Sequence, residues 1–230
     1  MNQIQAKAIV LSRTDYGEAD RIVTVLTRDH GKVSLMARGV RRLRSKLAGG
    51  IELFSTAEIS YIRGRGEIST ITSARLLVYY SKIVQDIERV QLGYELIKLL
   101  HRATEDQPEP EYYDLLEAAF KALDSLSIRT ELIKTWFQAQ LLSFAGHSPN
   151  LTTDLRDKRL TESNQYEFDF EAVAFSVHPD GHFSSDAIKF LRLIFSGNPP
   201  QVLQQVTGYE ELLPICAPLV QTMLQTYIRI

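Results

Sequence analysis

Over the first 77 residues, apolar side chains occur in short runs that partly alternate with polar ones, a pattern typical of β-strands. Five such runs, rich in Ile, Val, Thr and Tyr, predict strands at residues 4–11, 21–27, 32–38, 56–62 and 67–76. Gly31 before the third run and Gly64 and Gly66 before the fifth predict tight turns, because glycine adopts positive φ at little cost. The pattern therefore predicts five short strands joined by turns.

From about residue 81 apolar side chains recur every three or four positions, which predicts amphipathic helices. The apolar stripes run over residues 83–101, 112–126, 133–144, 187–195 and 212–227. Ser184 is a plausible N-cap of the fourth helix, and Pro214 and Pro218 predict a bend or a late start in the last one. Between residues 147 and 184 the pattern is irregular, with short strands predicted at 166–170 and 172–177.

These patterns predict an α+β protein of two domains. Residues 1–80 match a five-stranded barrel of the oligonucleotide-binding (OB) type, and residues 81–230 form a mainly helical domain with an irregular insert at about 147–184. The binding surface of an OB barrel uses the loop after strand 1 and the loop joining strands 4 and 5. Those loops are therefore the first places to look for function.

Charge is distributed unevenly along the chain. The formal net charge is −2, but residues 1–80 carry +6 and residues 81–230 carry −8. Five cations fall within nine residues that contain no acid: Arg38, Arg41, Arg42, Arg44 and Lys46. Such a run is either a solvated loop or a polyanion site, and its place in a basic segment favours the polyanion.

Three loops of the predicted barrel contain cations that we expect to contact nucleic-acid phosphates on one exposed side. The residues concerned are Arg13 in the loop 12–20, Arg21 after it, Arg38, Arg41, Arg42, Arg44 and Lys46 in the basic run, and Arg63 and Arg65 in the last turn. Tyr16, between Asp15 and Gly17, is a candidate for stacking on a base. Phe54 and Tyr61 are weaker candidates, because an aromatic side chain in a barrel strand more often packs in the core.

Motifs of catalysis are absent from the sequence. There is no phosphate-binding G-x-x-x-x-G-K-[ST] loop, no dinucleotide-binding G-x-G-x-x-G, no G-x-S-x-G and no H-E-x-x-H. Cys216 and the stripe residues Trp136 and Met223 are expected in the core. One Asp/His-rich segment offers possible metal ligands or simply turn residues: His147, Asp154, Asp157, His178, Asp180 and His182.

The composition, 44% apolar and 23% charged, is that of a folded protein. No run approaches the roughly 18 apolar residues of a membrane span, and no secretory signal is visible. A single cysteine excludes an internal disulfide framework and a cysteine-rich zinc site. We therefore expect a cytoplasmic protein without a membrane partner. Association with the nucleoid would follow from the nucleic-acid binding expected of the basic loops.

The amino-terminal segment resembles the DNA repair and recombination mediator family RecO. The matching features are KAIVLSRTDYGEAD followed by RIVTVLT, the turn at Gly31-Lys32, and Ala37-Arg38-Gly39-Val40-Arg41-Arg42. Gly146-x-x-Pro149-x-Leu151 also resembles the family's step from helices into a zinc-binding loop. Where many members place two C-x-x-C pairs, this chain has Asp154, Asp157, Ser184 and Ala187, so we predict no structural zinc.

The resemblance implies a non-enzymatic protein that binds single-stranded and double-stranded DNA and anneals complementary strands. It implies RecR as a partner, with which members load RecA onto DNA coated by the single-stranded-DNA-binding protein. If about five phosphates of a single strand are neutralised, log K falls against log[salt] with a slope near −3.5, roughly 100-fold between 50 and 200 mM salt. Two alternatives remain open: a protein-interaction scaffold whose barrel no longer binds DNA, and a metal-dependent phosphoesterase that uses the Asp/His-rich segment.

Overall fold

The structure, a computed structural model, describes residues 3–64, 66–104 and 110–228. The chain divides into two units, Met1–Ser125 and Leu126–Ile230. The first unit contains the barrel strands and the first two helices, so these helices group with the barrel. The domain boundary proposed from the sequence at 80/81 stays a prediction.

Five strands form a closed barrel in the order β1-β2-β3-β5-β4. They are β1 (Gln3–Tyr16), β2 (Asp20–Thr27), β3 (Gly31–Ala37), β4 (Ser55–Ile62) and β5 (Ile68–Tyr79). Only the β3–β5 pair is parallel, and the other four pairs are antiparallel. The predicted α+β class with an amino-terminal OB-type barrel is confirmed.

Alternating apolar side chains fill the barrel, as in Val23 and Val25 of β2 and Ala57 and Ile59 of β4. The connection between β3 and β4 closes one end of the barrel by placing Ile51 in the same core. A short 3₁₀ turn, Ala48–Gly50, lies directly on β5. A Cβ atom on Gly50 would come within 2.5 Å of the Ala74 Cβ, so this close approach requires glycine.

The first strand is longer than the sequence predicted. Residues 12–16 continue β1 and do not form a loop, and the turn to β2 contains only Gly17 to Ala19. A register shift between Val10 and Ser12 interrupts the alternation, and the residues beyond it are mostly polar. The hydrophobic signal therefore ended at residue 11, although the strand pairs onward to Tyr16 opposite Asp20.

Two helices complete the first unit, α1 (Ile87–Ala103) and α2 (Pro110–Leu123). The core-facing side of α1 carries Leu92, Leu96 and Leu100, which are buried, whereas Ile87 within the predicted stripe is 74% exposed. The Asp86 side chain accepts hydrogen bonds from the N–H groups of Glu88 and Arg89 and so fixes the start of the helix.

The second unit is mainly helical around a small sheet. It contains α3 (Thr130–Phe144), β6 (Asn150–Asp154), β7 (Tyr166–Asp169), β8 (Ala174–Val177), α4 (Ser185–Phe195), α5 (Pro200–Leu203) and α6 (Tyr209–Tyr227). The sheet order is β6-β8-β7, so both predicted short strands exist and β6 was missed. Ser184 caps α4 as predicted.

The last helix does not start late, because α6 is helical from Tyr209 through both prolines. Cys216, Trp136 and Met223 are buried, which confirms their prediction as core residues. Across the described part of the chain, no helix has the length and apolarity to cross a membrane.

Candidate nucleic-acid interface

Residues 38–46, here called the basic loop, leave β3 as a series of tight turns. The Arg42 N–H donates to the Gly39 carbonyl at 3.1 Å, and the Ser45 N–H donates to the Arg42 carbonyl at 3.0 Å. Val40 is buried in the barrel core and anchors the loop from within. Gly39 has φ +64°, a conformation that glycine adopts readily and other residues rarely. The loop therefore has a fixed shape.

The basic loop is also bonded to the turn between β1 and β2. The Gly39 N–H donates to Asp20 Oδ1 at 2.7 Å, and the Arg41 N–H donates to the Ala19 carbonyl at 3.0 Å. An Arg41 Nη1–H also donates to the Gly17 carbonyl at 3.3 Å. The Asp20 carboxylate accepts this backbone N–H, and among the described residues it forms no ion pair with the cations of the loop.

Four cations of the basic loop are exposed and form no ion pair among the residues that the structure describes. They are Arg38, Arg42, Arg44 and Lys46. Their side chains are exposed to solvent, while the loop backbone is anchored by Val40 in the core and by hydrogen bonds to the β1–β2 turn. An arrangement of this kind suits contact with phosphate groups, which carry charge but no sequence information.

Three other predicted site cations are already paired with carboxylates. Arg13 lies 2.7 Å from Glu52, and Arg21 lies 2.6 Å from Asp15, whose second oxygen is 3.5 Å from Arg41. The hydrogen bond from Arg21 is the main cause that lowers the pKa of Asp15, so this carboxylate stays charged. A phosphate would have to compete with these carboxylates for Arg13, Arg21 and Arg41.

The cations do not all lie at one end of the barrel, and their place on one exposed side stays a prediction. The β1–β2 turn and the basic loop lie at one end of the barrel, where Tyr16 pairs with Asp20. Gln3 pairs with Ile62, so Arg63 follows β4 at the opposite end. Alternating strand direction produces this separation, which a list of basic loops does not reveal. Arg65 lies outside the described residues.

At the Arg63 end, a groove of about 730 Å3 opens beside β2 and β3. Its lining includes Thr24 and Ser34, which pair across the two strands, together with Lys32 and Arg63. The Lys32 ammonium donates to the Thr104 carbonyl at 2.7 Å, which fixes its position. The groove thus lies along the strand pair that carries the ligand face of OB barrels.

Only one of the three aromatic candidates can stack on a base. Tyr16 is 56% exposed, whereas Phe54 is 2% and Tyr61 is 1% exposed. Burial raises the pKa of Tyr61, and the nearby Arg63 partly opposes that shift. Phe54 packs edge-on against Tyr94 and Phe120 at centroid distances of 5.2 and 5.5 Å, so Phe54 and Tyr61 are core residues, as the sequence favoured.

Sequence reasoning missed one residue of the basic loop. Leu43, between Arg42 and Arg44, is 106% exposed, which places an apolar side chain entirely in solvent at the most basic point of the barrel. Apolar side chains on nucleic-acid-binding surfaces contact base faces or insert between base steps. The signal in the sequence was a lone leucine within a run of cations.

The Asp/His-rich segment does not converge on a metal centre. Within the described ranges, no group of three or more His, Cys, Asp or Glu residues could hold a metal ion. His182 lies 2.8 Å from Glu167, which raises the pKa of that histidine, and the His147 ring stacks on Tyr227. The arrangement therefore supplies no site for metal-dependent phosphoester hydrolysis.

The positions at which the resemblance implies zinc-binding cysteines do not fit zinc either. Asp154 accepts backbone hydrogen bonds from Arg156 and Lys158, at 2.8 and 2.9 Å. Ser184 accepts from the Ala187 N–H as the cap of α4, and Ala187 itself is fully buried. This segment is held by a hydrogen-bonded carboxylate and by packing.

Comparison with known proteins finds similar sequences over almost all of the chain. The family model described as recombination protein O N terminal matches residues 1–80, and the one described as recombination protein O C terminal matches residues 84–228. A DNA repair protein RecO from Dehalococcoides mccartyi is 28% identical over 211 residues, which cover 87% of this chain and 81% of the relative.

Two further relatives carry the same name. The DNA repair protein RecO of Rubrobacter xylanophilus is 33% identical over 64% of this chain and 59% of its own length. That of Myxococcus xanthus is 31% identical over 65% of this chain and 61% of its own length. With both family models covering almost all of its length, the chain belongs to the RecO family of DNA repair proteins.

Proposed function

We propose that this protein is a DNA-binding recombination mediator. Membership of the RecO family supports a role in DNA repair. The observation that supports DNA binding best is the basic loop, where Arg38, Arg42, Arg44 and Lys46 are exposed and unpaired among the described residues on a backbone anchored by Val40 and Asp20.

These cations act by contacting phosphates. Each contact with a single strand releases counterions and contributes about −0.7 to the slope of log K against log[salt]. Four contacts from the basic loop give a slope near −2.8, and a fifth from Arg63 restores the value near −3.5. The paired residues Arg13, Arg21 and Arg41 contribute less, because Glu52 and Asp15 already balance their charge.

We propose that a single strand follows the outer face of β2 and β3 from the basic loop to Arg63. The eight residues of β2 give this path a length of about 26 Å. Tyr16 at its start can stack on a base, and the groove with Thr24 and Ser34 receives the backbone near its end. OB folds engage between about 4 and 16 nucleotides, and the short path favours the lower part of that range.

The rest of the proposal follows the family resemblance. It includes binding of double-stranded DNA, annealing of complementary strands, and cooperation with RecR in loading RecA on DNA coated by the single-stranded-DNA-binding protein. Cations that screen two phosphate backbones lower the repulsion between approaching strands, which favours annealing. We assign no residue to the contacts with RecR or with the coating protein. The chain acts by binding and not by catalysis.

One observation favours the alternative, a protein-interaction scaffold whose barrel does not bind DNA. Arg13, Arg21 and Arg41 form ion pairs within the barrel, so part of the positive charge counted in the sequence is already balanced. The two proposals differ in what the unpaired cations do. In a scaffold, removal of the unpaired cations changes DNA affinity no more than removal of paired ones.

The test compares two full-length variants that each lose four positive charges. In the first, Arg38, Arg42, Arg44 and Lys46 become Ala. In the control, four ion-paired cations become Ala: Arg28, Arg75, Lys121 and Lys189. Fluorescence anisotropy with labelled single-stranded DNA at 50 and 200 mM salt measures affinity and slope.

We expect the loop variant to bind about 10²- to 10³-fold more weakly near 0.1 M salt, with a slope smaller by about 3. The DNA affinity of the control should stay within a few-fold of that of the unchanged protein, because carboxylates already balance its four cations. The control should also remain folded, since exposed ion pairs contribute little to stability. Equal affinities of the two variants would establish the scaffold alternative. Circular dichroism of both proteins verifies that the fold is intact.

A further inference from the structure

A second basic segment lies in the unit Leu126–Ile230, at residues 154–159, here called the basic turn. Its sequence, Asp-Leu-Arg-Asp-Lys-Arg, contains three of the eight Lys and Arg residues found between 126 and 230, against eleven Asp and Glu. The positive charge of an otherwise acidic region is therefore concentrated at one place.

The backbone of the basic turn is held by hydrogen bonds. Asp154 Oδ1 accepts from the N–H groups of Arg156 and Lys158, and the Asp154 N–H donates to the Lys158 carbonyl at 2.8 Å. The Leu155 N–H donates to the Phe175 carbonyl at 2.9 Å, which ties the turn to β8. Asp154 is buried and its carboxylate accepts backbone N–H groups, so it stabilises the turn.

The three cations of the basic turn are exposed. Among the residues that the structure describes, Arg156, Lys158 and Arg159 form no ion pair. They line a pocket of about 530 Å3 together with Thr161, Asn164 and Ser176. Guanidinium, ammonium, hydroxyl and amide groups are all donors to phosphate oxygens. Asp157 is the one exposed acid of the turn, and together with the buried Asp154 it leaves a local charge of +1.

We propose that the basic turn is a second phosphate-binding site that contacts a nucleic-acid strand independently of the barrel. The identity of the ligand rests on the proposed function. Three cations within four residues match the repeated charges of a phosphodiester backbone, and the unpaired arginines and lysine are organised as in the basic loop. A protein with two such sites holds two strands at once, which gives strand annealing a physical basis within one chain.

The test counts strands bound to the full-length chain at low salt. The probe is a labelled eight-nucleotide oligothymidylate, and equilibrium titration gives its stoichiometry. We expect two oligonucleotides per chain. The variant Arg156→Ala, Lys158→Ala, Arg159→Ala should bind one, and the variant lacking the four unpaired cations of the basic loop should also bind one. A protein with both sets of substitutions should bind none.

A matched control replaces three ion-paired cations, Arg75, Lys121 and Lys189, with Ala and should retain two bound strands. In the unchanged protein, the rate of annealing of two complementary oligonucleotides should exceed that of the basic-turn variant by about tenfold or more.

Two outcomes overturn the inference. The first is a basic-turn variant that keeps both strands and the full annealing rate. The second is an unchanged protein that binds only one oligonucleotide and, in a separate titration, binds a polyglutamate peptide at the basic turn. That result would assign this site to an acidic protein segment. Loss of binding in the loop variant alone would leave the proposed function of the barrel standing, so the two failures are distinguishable. Equal thermal midpoints of variant and control exclude unfolding as the cause.

Discussion

The basic loop and the basic turn both present exposed cations on a hydrogen-bonded backbone. In both, an aspartate accepts backbone N–H groups, Asp20 from Gly39 and Asp154 from Arg156 and Lys158. In both, the neighbouring cations remain exposed. Among the described residues, neither carboxylate forms an ion pair with these exposed cations, so a short segment can combine an ordered backbone with exposed positive charge.

The difference between them lies in what holds each segment to its unit. Val40 inserts into the barrel core, so the basic loop is coupled to the folding of the whole barrel. The basic turn has its side chains in solvent except for Asp154, and backbone hydrogen bonds fix it to the sheet. We expect the loop to lose its shape when the core is altered and the turn to lose its shape when one carboxylate is altered.

The largest effect should come from Val40→Ala. This substitution removes two buried methyl groups and leaves a cavity, so the free energy of unfolding of the barrel should fall by about 2–3 kcal/mol. Urea unfolding followed by circular dichroism measures this change. Amide exchange should accelerate in the basic loop and not in the basic turn. A variant as stable as the unchanged protein would show that the loop does not depend on its anchor.

A smaller effect is expected from Tyr16→Ala. One lost stacking contact costs about 1–3 kcal/mol, which weakens single-strand binding by about 5- to 150-fold. Tyr16→Phe keeps the aromatic face and serves as the control, with nearly unchanged affinity. Anisotropy titrations at one salt concentration compare the three proteins. An equal salt slope in all three is expected because no charge is removed, and a strong loss in Tyr16→Phe would assign the role to the hydroxyl instead.

The smallest effect is local and depends on pH. Hydrogen bonds from Lys158 and Arg156 lower the pKa of Asp154, so the charged carboxylate stabilises the basic turn above the ordinary aspartate pKa of about 3.9. This contribution is lost as the pH falls through the lowered pKa. Amide protection of Arg156 and Lys158 should therefore be constant from pH 5 to 8 and fall below pH 4.

Asp154→Asn keeps an oxygen acceptor but cannot titrate, so protection in this variant should be lower by up to about tenfold and independent of pH in the acid range. The matched position in the basic loop is Asp20→Asn, which should affect Gly39 alone. Identical pH profiles for the unchanged protein and Asp154→Asn would contradict the role given to this carboxylate.

The barrel was predictable because its strands follow a simple physical rule. Val23 and Val25 are buried on either side of the half-buried Thr24, and Gly31 marks the turn between two strands. The signal failed where the structure departs from that rule. The register shift after Val10 hides the second half of β1. Within α1 the spacing of three and four fits Ile87 as well as the leucines, yet Ile87 is exposed and Leu92, Leu96 and Leu100 are buried.

The candidate site was predictable in composition but not in geometry. The run from Arg38 to Lys46 was visible as charge, yet the pairing of Arg41 with Asp15 depends on strand register. The burial of Phe54 and Tyr61 depends on contacts distant in sequence. The basic turn gives a weak signal in the sequence, because Asp154 and Asp157 lie among its cations and residues 81–230 carry a net charge of −8.

Phe54 determines how the molecule can be dissected. Its backbone adopts φ +54°, unfavourable for an aromatic residue, and its ring lies where a Cβ on Gly93 would come within 2.6 Å. Tyr80 contacts Phe120 in the same cluster. A fragment ending at residue 80 would lack Tyr94 and Phe120 and would expose the Phe54 ring, which favours self-association. A fragment for crystallography or spectroscopy should therefore extend through Ser125.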